Sequence, residues 1–257
     1  MTLTMAEIMA WVGGFVWVLI RVGAMTAAAP VLGSRSVPAN VRVLVAVILS
    51  LAMLPGIESV PEVDPLSGEG VMLVAQQIII GISMAFIFNM VMGTFVLAGE
   101  AIAMTMGLGF AQNVDPQNGV NIPLVSQFMS IVATLLFISL DGVAMLIKLL
   151  SDSFEIMPIA PVGMDREGFR QVALFAQTMW VNSVLLALPI VTALLMVNLA
   201  MGVITRASPQ LNIFSVGFPA TLMIGLFLIM VNSPNWHPKL EQFMLEGYRH
   251  VLTVLGA

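Results

Sequence analysis

Ionisable side chains inside apolar runs are the residues of this sequence whose chemistry most needs an explanation. A charge at the centre of a bilayer costs about 2.5–3.5 kcal/mol on insertion scales, so each one should have a reason to be there. Two interpretations are open: an ion or proton path, or burial against protein and at helix ends outside the lipid. Isolated charges favour the second, because pumps usually carry ordered acidic relays. The residues are Arg21, Glu100, Asp141, Lys148 and Arg206.

Arg21 is the most demanding of these charges, since it lies near the centre of the apolar stretch Ile8–Ala29. We expect its guanidinium to have an acidic or a carbonyl partner. Asp141 and Lys148 are seven positions apart and share one face of the expected helix. The rise between them is ~10.5 Å on a straight helix, which is too far for direct pairing.

Motifs for metal binding, nucleotide binding or covalent catalysis are not recognisable in the sequence. His237 and His250 are 13 positions apart, so they do not share a helical face as ligands, and the chain has no cysteine. The stretch MGLGFAQ contains Gly-x-Gly, but no strand precedes it and no lysine follows it. No Ser-His-Asp set can be placed. We therefore expect neither an enzyme nor a cofactor of its own.

The segment Gly107–Ile122, GLGFAQNVDPQNGVNI, is polar although it separates two apolar runs. Its backbone cannot face lipid, because its amides would stay unpaired there. Gly107 and Gly109 permit tight bends, and Asp115-Pro116 is a turn signal. The segment must lie outside the membrane or line a protein cavity. A re-entrant or plug loop is consistent with this requirement.

A second polar string, ITRASPQLNIFSVGFP, spans Ile204–Pro219 between the uncharged runs Val172–Thr205 and Leu211–Ser233. Pro209 stops the preceding helix, and Arg206 near that end complements the helix dipole. Amides following the proline can satisfy exposed backbone groups at the helix ends. The local chemistry is that of a tight turn between two helices; the amides are Gln210 and Asn212.

Composition defines the class of protein that must position these residues. Of the 257 residues, 59% are hydrophobic and only 9% are charged, against about 25% charged in a soluble domain. The mean hydropathy is +1.03. The chain is therefore expected to be an integral membrane protein, and its net charge of −5 argues against binding nucleic acid.

The predicted helices do not have the lengths of ordinary spans. Val172–Thr205 would reach ~51 Å as a straight helix, whereas the hydrocarbon core is ~30 Å thick, so it must tilt, kink at Pro189 or leave the bilayer. Lysine and arginine counts do not decide the topology, with three on one side and five on the other. Ile8–Ala29 is expected to be a retained helix rather than a signal peptide, because Glu7 precedes it and Arg21 interrupts it. The other expected helices are Val43–Leu54, which is short for a span, Val71–Met106 and Ile122–Leu140, the last continuing past Asp141 towards Leu150.

The final segment, Pro238–Gly256, has the period of an amphipathic helix. Such a helix could pack on its own chain, lie at the lipid surface or dock a partner, and the pattern alone does not choose. Its expected apolar face consists of Leu240, Phe243, Met244, Tyr248, Val251, Leu252 and Leu255.

The polar strings resemble those of the FliR family, which supplies the R subunit of the flagellar type III protein export gate and is related to an injectisome export-apparatus subunit. GLGFAQNVDPQ, from Gly107 to Gln117, resembles the family's loop. The length and hydrophobic profile agree as well, so the resemblance covers nearly the whole chain. The matching signature residues are Arg206, Pro209-Gln210-Leu211-Asn212, Phe214 and Val216-Gly217-Phe218-Pro219.

This resemblance implies an all-α membrane protein of long kinked hydrophobic helices and helical hairpins, built into a hetero-oligomeric helical channel. The partners would be P- and Q-type subunits, the associated B-type switch subunit, membrane lipid and unfolded flagellar proteins as substrates. The location would be the bacterial inner membrane at the flagellar basal body. Within a single export-gate subunit of residues 1–257, residues 8–150 would be P-like and 172–257 Q-like, the latter ending in the amphipathic helix 238–256.

The resemblance also implies roles for the two polar strings. The first would plug the closed channel at residues 107–122, with Phe110 facing the pore. Its site residues would be Gly107, Gly109, Phe110, Gln112, Asn113, Asp115 and Pro116. The second would be buried against neighbouring subunits through Arg206, Pro209, Gln210, Asn212, Phe214, Gly217 and Pro219.

Two other classes of function remain as alternatives. A small-solute or ion transporter with intramembrane charges would show inverted repeats with paired broken segments. Residues 107–122 and 205–212 could mimic such a pair, but no convincing repeat surrounds them. A membrane enzyme would need a cluster of titratable groups that the sequence does not offer.

Overall fold

The structure is a computed structural model that describes residues 5–34, 36–57, 61, 63, 67–108, 123–160, 163–208 and 217–256, with the side chains of residues 5–12 left aside. All regular secondary structure in these ranges is helical. The prediction of an all-α membrane protein is therefore confirmed. The helices are α1 Met5–Ala28, α2 Ala39–Met53, α3 Gly68–Thr105, α4 Leu124–Ser139, α5 Gly142–Ile156, α6 Arg166–Ala207, α7 Phe218–Asn232 and α8 Trp236–Leu255.

Among the described residues, four helical stretches are long and apolar enough to cross a membrane, and α4 with α5 makes a fifth if the bent pair counts as one span. The helices α3 and α6 have 38 and 42 residues, hence lengths of ~57 and ~63 Å. Both exceed the ~30 Å hydrocarbon core, as the sequence predicted. The helix α6 continues through Pro189, so the proline does not end it. The four stretches are Ala39–Gly56, Gly68–Thr105, Arg166–Ala207 and Phe218–Leu255.

The helix expected to continue past Asp141 is broken there, and this part of the prediction was wrong. Asp141 has φ 56° and ψ 30°, which is the left-handed region, and the axes of α4 and α5 differ by 65°. Aspartate tolerates this conformation better than most residues that carry a side chain. Asp141-Gly142 is a turn signal, but the apolar residues on both sides of it favoured the prediction of a continuous helix. The break lies before Asp141, which is the N-cap of α5 and accepts from the Met145 amide.

The start of α2 also differs from the sequence prediction. The apolar run begins at Val43, but α2 begins at Ala39, directly after Pro38. Proline fixes a backbone angle that suits the residue before a helix, so the polar residues Asn40 and Arg42 enter its first turn. With the 3₁₀ turn Leu54–Gly56, this stretch reaches the length of a span.

The chain divides into two compact units that alternate along the sequence. One unit contains Met1–Met90, Asp141–Ala176 and Met244–Ala257, and its core includes Trp17, Val22, Met84 and Leu149. The other contains Val91–Leu140 and Gln177–Phe243, and its core includes Phe95, Ile102, Phe137 and Trp236. The expected P-like and Q-like parts concern relatedness to other subunits and stay a prediction.

In each unit, a glycine of α3 lies against the backbone of another helix. In the first unit, a Cβ atom at Gly81 would lie 2.6 Å from the carbonyl oxygen of Arg21. In the second, a Cβ atom at Gly99 would lie 2.7 Å from the Cα atom of Ser126. Small residues allow helix backbones to approach this closely. The helix α3 thus packs backbone to backbone on α1 and on α4.

The helix α8 follows α7 through the 3₁₀ turn Ser233–Asn235, and its amphipathic pattern is confirmed. On the expected apolar face, Tyr248 and Leu252 are half-buried and the other five residues are buried. The chain itself therefore covers this face, which agrees with the alternative of packing on its own chain. The buried residues are Leu240, Phe243, Met244, Val251 and Leu255.

Candidate functional site

The carbonyl end of α3 is the point where the first polar string begins, and its geometry explains Gly107. The Leu108 amide donates to the Ala103 carbonyl at 3.0 Å, and the Gly107 amide donates to the Met104 carbonyl at 3.1 Å. These two bonds form a Schellman motif, in which the residue after the helix is left-handed. Gly107 has φ +84°, where a side chain would be strained. The helix α3 therefore has a defined end.

Two polar side chains from later helices bind the last carbonyls of α3. The Asn198 amide of α6 donates to the Thr105 carbonyl at 3.1 Å. The Thr221 hydroxyl of α7 lies 3.3 Å from the Met106 carbonyl and 3.0 Å from the Phe218 carbonyl, so its proton is shared. Carbonyls at a helix end have no intrahelical donor, and an apolar environment supplies no water to replace one. Asn198 and Thr221 supply the missing donors.

Apolar contacts on α7 accompany the hydrogen bond of Thr221. Met106 is fully buried, and a Cβ atom at Gly225 would lie 2.7 Å from its Cγ and Cε atoms. A Cβ atom at Gly107 would lie 3.4 Å from the ring of Phe218. We call this set of contacts the α3–α7 joint. It consists of Thr105, Met106, Gly107, Asn198, Phe218, Thr221 and Gly225.

The α3–α7 joint brings the beginning of one polar string against the end of the other. Gly217, at the end of the signature, is buried and precedes α7, and Pro219 lies exposed in its first turn. Arg206 is exposed in the last turn of α6. The remaining site residues lie outside the described residues, and their roles stay predictions: Gly109, Phe110, Gln112, Asn113, Asp115, Pro116, Pro209, Gln210, Asn212 and Phe214.

A second polar site surrounds Arg21, which is fully buried in the first unit. Its Nε donates to the Gln77 side chain at 2.7 Å, Nη1 donates to the Ser153 carbonyl at 2.8 Å, and Nη2 donates to the Met157 carbonyl at 2.9 Å. The guanidinium also lies 4.4 Å from the ring centroid of Phe154. The sequence predicted either an acidic or a carbonyl partner for Arg21. In the structure the partners are carbonyl oxygens.

The position of the Arg21 guanidinium explains how a buried cation is stabilised by neutral acceptors. Ser153 lies in the last turn of α5, and Met157 is the residue that ends it. The carbonyl end of a helix carries about half a negative charge, which favours a cation. The face of an aromatic ring contributes further attraction. The flat guanidinium can also donate in several directions at once, which an ammonium cannot.

The other charges within apolar runs are less enclosed. Glu100 is half-buried, whereas Asp141 and Lys148 are exposed on this chain. The Lys148 ammonium lies 5.7 Å from the ring centroid of Tyr248, whose hydroxyl donates to Asp152. Among the described residues, no hydrogen bond or ion pair joins Arg21, Glu100, Asp141, Lys148 and Arg206 to one another.

Sequence reasoning overlooked the uncharged polar residues that bind helix ends. Besides Asn198 and Thr221, Asn89 of α3 donates from its amide to the Ala28 carbonyl at the end of α1, at 2.6 Å. The available signal was an isolated amide or hydroxyl within an apolar run. Such a group is costly in an apolar environment unless it finds a hydrogen-bond partner.

Comparison with known proteins agrees with this architecture. The family model for bacterial export proteins, family 1, matches residues 12–247. The flagellar biosynthetic protein FliR of Escherichia coli K12 is 35% identical over 253 residues, covering 98% of this chain and 97% of that protein. FliR of Pectobacterium carotovorum is 35% identical over 95% of this chain and 94% of that protein, and FliR of Bacillus subtilis 28% over 84% and 85%.

The helical membrane fold and the match over residues 12–247 define this chain as a bacterial export protein. The extent and identity of the matches to named relatives go one step further. The chain belongs to the FliR family.

Proposed function

We propose that this chain is a structural subunit of the flagellar type III protein export gate. With P- and Q-type subunits it forms the channel through which unfolded flagellar proteins cross the bacterial inner membrane at the flagellar basal body. The observation that carries this proposal is the family match across nearly the whole chain, to proteins named for flagellar biosynthesis. The associated B-type switch subunit is a further expected partner.

Two features of the helices support incorporation into a larger assembly. The helix α6 is ~63 Å long, about twice the thickness of the hydrocarbon core. Large apolar side chains along it remain exposed on this chain, including Trp180 at 58%, Leu199 at 72% and Val203 at 62%. Apolar surface that extends beyond the lipid is favourable only if protein covers it. Neighbouring export-gate subunits would supply that cover.

Residues 107–122 are proposed to plug the closed channel, with Phe110 facing the pore. The support is the resemblance of this segment to the family's loop and the defined end of α3 at Gly107. The signature from Arg206 to Pro219 is proposed to pack against neighbouring subunits. The burial of Gly217 supports a tightly packed end of that segment.

Native mass spectrometry tests the assembly. The tagged chain is extracted from its own membranes in mild detergent, and the intact particle is weighed. We expect one copy of this chain with several copies of two small hydrophobic partners, because its exposed apolar faces need protein cover. A lone monomer or a homodimer would contradict the export gate and favour a small-solute or ion transporter.

Deletion within residues 107–122 tests the plug. Removing residues 109–116 leaves Gly107 and the end of α3 intact, so the assembly should still form. We expect a raised ion conductance through the purified complex in lipid vesicles. A deletion of similar length in the acidic stretch of residues 58–65 serves as the control. An unchanged conductance in a fully assembled complex would remove the plug assignment.

A further inference from the structure

The α3–α7 joint combines polar and apolar contacts on a single face of α7. Thr221 and Gly225 are one helical turn apart, and Ile229 follows one turn later. These three are the buried residues of α7. Two of the three contact Met106 or its carbonyl. Separation of α3 from α7 would therefore remove the contacts that Thr221 and Gly225 make with Met106.

The polar contacts make such a separation costly. If the joint opened, the Met106 carbonyl would lose the buried hydrogen bond that it accepts from Thr221. A buried acceptor without a partner is destabilising, because it has given up its hydrogen bonds to water as well. The hydrogen bonds and the packing of Met106 thus favour the same closed arrangement.

We propose that the α3–α7 joint stays closed while the protein exports its substrates, and that Thr221 is the positioning residue that holds α7 on the end of α3. The end of α3 is then a fixed point from which the chain continues after Gly107. This inference rests on the proposed function. It differs from an arrangement in which α3 itself moves away from α7 during transport.

A disulfide across the joint tests this proposal. The chain has no cysteine, so an introduced pair reacts without background. A Cβ atom at Gly225 would lie 2.7 Å from the Cγ atom of Met106, which is compatible with the Cβ separation of about 3.5–4.5 Å in a disulfide. The test variant is Met106→Cys with Gly225→Cys. The matched control is Met106→Cys with Met223→Cys, since Met223 is 72% exposed on α7.

We expect a membrane-permeant oxidant to cross-link the test pair and not the control pair. Secretion of flagellar subunits by cells carrying the cross-linked variant should equal that of the same cells after reduction. Loss of secretion on oxidation, with recovery on reduction, would overturn the proposal, because the joint would then have to open. Absence of the cross-link in the assembled complex would overturn it too.

Substitutions of Thr221 test the positioning role separately from folding. Thr221→Val keeps the shape and removes the hydroxyl, whereas Thr221→Ser keeps the hydroxyl. In the Met106→Cys/Gly225→Cys background, at equal yield of assembled complex, Thr221→Val should lower the cross-linked fraction and Thr221→Ser should not. Equal cross-linking in both would show that Thr221 does not hold the joint. If native mass spectrometry found no partner subunits, the proposed function would fail while the cross-link still reported on the joint.

Discussion

Single polar residues within apolar helices serve the backbone of other helices in this protein. Arg21 binds the carbonyl end of α5, Asn89 that of α1, and Asn198 that of α3. A helix end inside an apolar medium has carbonyls that water cannot reach, so a side chain from elsewhere must donate. Of the charges that looked out of place in the sequence, Arg21 is thus explained by backbone chemistry.

Substitution of Arg21 should destabilise the chain whether or not the positive charge is kept. Arg21→Met removes every donor, and Arg21→Lys keeps a buried charge that cannot reach Gln77, Ser153 and Met157 together. Hydrogen bonds to charged groups contribute about 1.5–3 kcal/mol each, so we expect a loss of about 2–4 kcal/mol for either variant. Thermal unfolding in detergent measures it.

Arg170→Met is the matched control for this experiment. The Arg170 side chain is 64% exposed and pairs with Glu167 three residues earlier. Exposed pairs of this kind contribute about 0–1 kcal/mol. Equal stability of Arg21→Met and wild type would mean that the buried guanidinium does not hold α1, α3 and α5 together.

Asp141 offers a direct comparison between charge and backbone conformation. Asparagine also tolerates the left-handed region, so Asp141→Asn should leave stability and swimming unchanged. Asp141→Val should lose about 1–2 kcal/mol, because a β-branched residue is strained at this φ. Motility on soft agar and thermal unfolding report the two effects. Loss of motility in a stable Asp141→Asn protein would instead favour an ion path.

At the scale of helices, α3 organises both units through its glycines. Gly81 approaches the backbone of Arg21, and Gly99 approaches that of Ser126. Backbone atoms cannot rotate away as a flexible side chain can, so an added methyl group must move a whole helix. These two positions therefore determine how closely α3 packs on α1 and on α4.

Alanine at Gly99 should separate α3 from α4 and lower the free energy of unfolding by about 1–3 kcal/mol, as overpacking commonly does. Gly202 in α6 is the control, since a Cβ atom there would have no atom within 4 Å. Alanine is the better helix former, so Gly202→Ala should raise stability by about 0.5–1 kcal/mol. Thermal unfolding of the detergent-solubilised chain distinguishes the signs. Two variants of equal stability would argue against the close approach at Ser126.

Helix positions were largely predictable from sequence, because long charge-free runs have no other stable form in lipid. The predicted runs Val71–Met106 and Val172–Thr205 correspond closely to α3 and α6. The break at Asp141 was not predicted, since a single residue in a left-handed conformation leaves almost no trace in hydropathy. The α3–α7 joint was not predicted either, because its contacts join residues 93 and 115 positions apart.

At the scale of the whole molecule, the length of α6 limits what lipid can cover. Leu174 and Val203 are exposed at 40% and 62%, and 29 residues of helix between them correspond to ~43 Å. Even a tilt of 40° leaves ~33 Å along the membrane normal, more than the ~30 Å core. At least one of these side chains must therefore lie outside the hydrocarbon core.

Single cysteines at these two positions test what covers them. In the chain purified alone, at least one of Leu174→Cys and Val203→Cys should react with a water-soluble maleimide. In the assembled complex that position should be protected, because a partner subunit would cover it. Thr253→Cys, on the exposed face of α8, is the control expected to react in both. Equal labelling before and after assembly would show that partners leave this surface bare.

The hydrogen bonds at helix ends also determine an order during synthesis. The donor for the Thr105 carbonyl is made 93 residues later, and the donor for the Met106 carbonyl 115 residues later. The last turn of α5, which Arg21 binds, emerges 132 residues after Arg21 itself. A chain that ends before α7 therefore lacks the Thr221 donor for the Met106 carbonyl. It also lacks the helix on which Met106 packs. Truncated products that end before α7 should be substrates for membrane quality-control proteases.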